Sequence, residues 1–118
     1  MNADEYQQLA ARTLIDKLGF VVSDGDVMDA WNALGLAGEA GEVADLVKKA
    51  VFHRYGFDHD ALKKELGDCL WYIAALCTRF GFSLSHVMEA NIEKLKRRYP
   101  DGYSSEASIQ RARWEGLK

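Results

Sequence analysis

Lys64-Glu65-Leu66-Gly67-Asp68-Cys69-Leu70-Trp71-Tyr72-Ile73-Ala74-Ala75-Leu76-Cys77 is the stretch that decides the fold. It holds no proline, and from Leu66 to Cys77 its only formal charge is Asp68. So apolar a run predicts the most buried helix of the protein. An acid placed in it must find a partner or take up a proton. Glu65 and Asp68 are spaced i, i+3 and share one helical face. A second pair with the same spacing, Glu39 and Glu42, lies upstream in Gly38-Glu39-Ala40-Gly41-Glu42.

Outward from these blocks the chain reads as helices. Tyr6, Leu9, Ala10, Thr13, Leu14 and Leu18 recur at helical spacing, which predicts a first amphipathic helix over about 3–18, ended by Gly19. Asp24 or Asp26 caps a long second helix over about 27–54. Gly35, Gly38 and Gly41 interrupt it at a cost of roughly 1 kcal/mol each relative to alanine. Close approach by another backbone, eased by Ala37, Ala40 and Ala44, is the simplest reason to keep them. Tyr55-Gly56-Phe57-Asp58 is a turn, and Asp58 or Asp60 caps the third helix, about 60–80. Ser83 or Ser85 caps a fourth that ends near Arg98, before Pro100. The polar segment 104–118 is a short helix or a tail.

The 118 residues fit one small domain, 1–118, with an ordinary apolar share of 48%. One proline and few turn clusters favour an all-α fold over a sandwich of strands. The net charge of −3 gives no basic excess for duplex nucleic acid. No apolar run reaches membrane-spanning length, and the N-terminus lacks the pattern of a signal peptide. Cys69 and Cys77 read as buried free thiols, so a cytoplasmic location is expected.

If helices two and three form an antiparallel hairpin, Glu39 stands level with Asp68 and Glu42 with Glu65. Both pairs share a midpoint between residues 53 and 54, just before the turn. The expectation is a four-carboxylate cage. Four hard oxygen donors favour magnesium, with manganese as a substitute, because a divalent cation relieves their repulsion. Such an ion polarises phosphoryl oxygens and acidifies bound water. The competing reading of each acidic pair is a solvated surface. A di-iron carboxylate bundle needs Glu-x-x-His, whereas the third position after each leading acid holds Glu42 or Asp68. His53, His59 and His86 read as surface residues.

The fourth helix carries a complement. Asn91, Lys94 and Arg98 share a face, with Lys96 and Arg97 beside them, suited to polyphosphate. The helix macrodipole alone also favours cations near a C-terminus. Tyr72, four residues after Asp68, either meets a base or sugar or belongs to the core. Trp71 is read as core or interface.

Three ordered blocks carry a resemblance. They are Gly35-Leu36-Ala37-Gly38-Glu39-Ala40-Gly41-Glu42-Val43-Ala44-Asp45, Lys64 to Tyr72, and Asn91-Ile92-Glu93-Lys94-Leu95 followed by Arg98-Tyr99-Pro100-Asp101-Gly102-Tyr103. Together they resemble the MazG-like all-α nucleoside triphosphate pyrophosphohydrolases over about 6–113. The resemblance implies a four-helix-type bundle protomer in a homodimer or homotetramer, with the site often completed across subunits. It implies Mg²⁺ on Glu39, Glu42, Glu65 and Asp68, phosphate contacts from Asn91, Lys94 and a nearby arginine such as Arg98, and Tyr72 by the nucleoside. The implied reaction cleaves a nucleoside triphosphate to the monophosphate and pyrophosphate. Metal-bound water attacks the α-phosphorus, and Lys94 offsets the charge that develops. The family's first block usually has two adjacent glutamates; here Gly38 stands at the first. The alternative is a non-catalytic helical module that binds a structural ion or none.

Overall fold

Helix starts follow from the capping residues. The computed structural model describes residues 1–116, which form α1 (Ala3–Ala11), α2 (Asp24–Phe52), α3 (His59–Phe80), α4 (Leu84–Arg98) and α5 (Ser105–Gly116). Asn2 and Glu5 form a reciprocal capping box on α1. Ser23, Asp58, Ser83 and Ser104 each accept a hydrogen bond from the backbone N–H three residues on, at 3.0–3.4 Å. Such caps stabilise a helix by about 1 kcal/mol each. Ser23, rather than Asp24 or Asp26, therefore opens α2, three residues before the expected start. At the other end of α3, Gly81 takes a left-handed conformation (φ 72°), and Phe82 N–H donates to Cys77 O at 2.8 Å. That glycine closes the helix because it has no Cβ to clash there.

The first helix stops at Ala11, seven residues before the predicted end. Beyond it, Thr13 and Leu14 donate to carbonyls three residues back and the turn unwinds. Leu14 and Leu18 are exposed, as are Tyr6 and Leu9 within the helix, so no packing sustains the periodic face and the helix stays short. The segment expected as a helix or tail is helical as α5; Leu117 and Lys118 lie outside the described residues.

The one extensive packing contact among the described helices joins α2 to α3. They run antiparallel, connected through Arg54 (φ 60°) and Gly56 (φ 83°). The far end of the hairpin is tied by an ion pair between Arg79 and Asp29, and Arg79 Nη2 donates to Gly25 O at 3.0 Å. Along the seam, Asn32 is buried and donates its amide to Met28 O at 2.8 Å, which satisfies a polar group on an apolar face.

Among the described residues the helices do not close into a four-helix bundle. As expected, α3 is the most buried helix among the described residues, although α2 covers only one of its faces. Cys77 is buried on α3, whereas Leu66, Leu70 and Trp71 are exposed. Both cysteines are free thiols, as expected, but Cys69 is only half-buried. The radius of gyration is 20.5 Å, against about 13 Å for a compact chain of this length. The accessible surface is 10175 Å², against roughly 6,400 Å² for a compact protein of this mass. Among the described residues, no helix is long and apolar enough to cross a membrane.

Candidate active site

Hairpin register brings the acids together. Glu39 projects from α2, and Glu65 and Asp68 from α3. A carboxylate oxygen of each lies within 4.8 Å of one from each of the others. All three side chains are half-buried. Glu42 is exposed and lies outside this group, although its charge still acts on Glu39. The chain thus gathers three of the four expected acids, with the fourth one turn away.

The electrostatics of this cluster are strained. A hydrogen bond to Glu65, then partial desolvation, then the charges of Glu65, Asp68 and Glu42 push the Glu39 carboxyl up to about 7 from the usual 4.5. The nearby lysines of α2 are engaged elsewhere. Lys49 and Lys48 pair with Asp45 at 2.8 and 3.5 Å. Lys49 lowers the Asp45 carboxyl in return. Three close carboxylate oxygens are a hard donor set that fits a divalent cation of the magnesium type, with outer positions left for water or phosphate.

Beside the acids is a polar pocket of about 320 Å³ lined by Glu39, Asp68, Trp71 and Tyr72. The two rings meet edge to face, 5.1 Å apart at 87°. Trp71 is 62% exposed, which removes it from the core of this chain, and it walls the pocket. The signal was present in the sequence, since Trp71 follows Asp68 by three residues and shares its helical face.

Glycine placement also differs from expectation. A Cβ at Gly38 or Gly41 would meet nothing within 4 Å, so no backbone approaches there among the described residues. Gly35 alone of the three is crowded, and the neighbour is the Tyr72 ring rather than a backbone.

The helix α4 residues are elsewhere. Asn91, Lys94 and Arg98 are exposed, and none lines the acidic pocket. Their helix instead borders an apolar groove of about 380 Å³ formed by Ile92, Leu95, Lys96, Tyr99, Gly102 and Tyr103. This groove has no carboxylate, whereas the acidic cluster lies at the α2–α3 pocket.

An all-helical chain with carboxylates from two antiparallel helices meeting beside an aromatic wall defines a class of helical, acid-centred proteins. The chain belongs to the MazG nucleotide pyrophosphohydrolase domain family, whose model matches residues 30–103. It is also similar to the Gene 37 protein of Mycobacterium phage L5, with 36% identity over 108 residues, covering 86% of this chain and 92% of that one. No solved structure matches it.

Proposed function

We propose that the protein is a magnesium-dependent nucleoside triphosphate pyrophosphohydrolase that releases the monophosphate and pyrophosphate. The observation that carries this reading is the convergence of Glu39, Glu65 and Asp68 beside an aromatic-walled pocket. Membership of a pyrophosphohydrolase family agrees with it. Glu39, Glu65 and Asp68 would hold the cation, and Glu42 would join them from the next turn. When bound, magnesium neutralises the triphosphate and acidifies water. Glu39 accepts the proton of the water that attacks the α-phosphorus. Tyr72 lies beside the nucleoside. Lys94, Asn91 and Arg98 offset the charge of the departing pyrophosphate.

Because α4 does not line the pocket in its own chain, we assign these last residues to a second copy. The open shape supports that assembly. The surface in excess of a compact chain is several times the ~800 Å² that each partner gives to a standard interface. The protein is therefore a homodimer or a tetramer built from dimers.

The test is pyrophosphate release from a panel of ribo- and deoxyribonucleoside triphosphates with Mg²⁺ or Mn²⁺. At least one substrate is expected to turn over. Glu39→Gln and Asp68→Asn should each lower kcat by a factor of about 10² or more with helicity intact. No turnover of any triphosphate by the intact oligomer would instead identify a non-catalytic helical module.

A further inference from the structure

We infer that Gly35 is a positioning residue: by lacking a side chain it opens a notch in α2 that seats the Tyr72 ring against the acidic pocket, where it and Trp71 receive a planar heterocycle. The inference rests on the triphosphate reading above and assigns a determinant of its nucleoside end.

Register supplies the first argument. Gly35 and Tyr72 share the midpoint of Glu39 and Asp68, so they form the next layer of the same hairpin seam. Sterics supply the second. A Cβ built on Gly35 would lie 2.9 Å from Tyr72 Cδ1 and closer still to Cε1 and Cζ. Three atoms of a rigid ring are involved, not the tip of a flexible chain. Relief requires rotation of the whole ring away from α2. Glycine is also unfavourable in a helix interior, and of Gly35, Gly38 and Gly41 only Gly35 has a neighbour that a Cβ would strike.

Pocket geometry supplies the third argument. Tyr72 lines the pocket with Glu39, Asp68 and Trp71. The near-perpendicular Trp71 and Tyr72 rings form a corner, one ring offering a face and the other an edge. Aromatic quadrupoles favour this arrangement around a third flat ring. A ligand without a ring, such as inorganic tripolyphosphate, engages the carboxylate end through its cation and gains nothing from the corner.

Calorimetric titration in Mg²⁺ with a nonhydrolysable nucleoside triphosphate and with tripolyphosphate separates the two ends. Wild type is expected to bind the nucleotide about tenfold more tightly than tripolyphosphate, the scale of one stacked base. Gly35→Ala should remove that advantage and leave tripolyphosphate affinity within about twofold. Tyr72→Ala should do the same, and the double variant should be no worse than Tyr72→Ala alone. If Gly35→Ala fails to fold, recovery of folding in the double variant supports the steric notch, and failure there overturns it. Equal weakening of both ligands by Gly35→Ala, unchanged nucleotide affinity, or additive losses in the double variant overturns the inference and leaves the pyrophosphohydrolase reading standing. Wild type that binds neither ligand overturns both.

Discussion

Glu39 holds the most informative charge in the molecule. Its carboxyl is raised to about 7 chiefly by the hydrogen bond to Glu65 and by crowding with neighbouring acids. The folded state therefore binds a proton that the unfolded chain releases above about 4.5. Stability consequently falls as pH rises from about 4.5 to about 7, because the unfolded state is the less protonated one in that window. A divalent cation replaces the proton, so its binding releases one. In metal-free protein, Tm is expected to decline across this window while the Tm gain from Mg²⁺ grows. Glu39→Gln should flatten both trends. Thermal melts at the two ends of the window check this, and a pH-independent Mg²⁺ effect would contradict the shared-proton cluster.

The α2–α3 hairpin is the element that matters, since it alone sets the level of one acid against another. Its open end is tied by Arg79 to both Asp29 and the Gly25 carbonyl. This ion pair is about one-third exposed on each side, so solvent screens it. Arg79→Ala is expected to cost about 1 kcal/mol and lower Tm by a few degrees. Lys96→Ala, which removes an exposed i, i+3 pair with Glu93, should change Tm hardly at all. An equal effect from both substitutions in differential scanning calorimetry would show that the tie adds nothing to the hairpin. A measurable rise in KM for Arg79→Ala would place the same tie upstream of the acidic cluster.

Across the whole molecule, the unclosed core dominates. Leu34 is 73% exposed and Leu70 61%, on helices that also carry the acids. In the proposed assembly, a second copy covers this exposed aliphatic surface. Light scattering after size exclusion should give a mass of at least two 13.2-kDa chains. The apparent Tm should rise with protein concentration. Leu70→Asp should shift the population towards monomer and reduce turnover together with mass. A concentration-independent monomer that unfolds cooperatively would refute the assembly, and with it the supply of Lys94 from a second copy.

Much of this architecture was legible before any coordinates. Helix starts at Ser83 and Asp58 and the stop at Gly81 follow from local hydrogen bonding and backbone freedom, which a few adjacent residues determine. The approach of Glu39 to Asp68 follows from two rods joined by one short turn, whereas the expected partnership of Glu42 with Glu65 is not what forms, since Glu65 meets Glu39. What only tertiary structure decided was helix rotation and the extent of packing. Rotation drew Glu39 to Glu65 and Asp68, left Glu42 outside, turned Trp71 into the pocket and laid Tyr72 over Gly35. Lack of packing left α1 short, ending at Ala11, and left α3 half uncovered, although its composition had pointed to burial. The physical reason is that periodicity specifies which face of a helix is apolar, whereas the neighbour that covers that face is a property of the assembled chain.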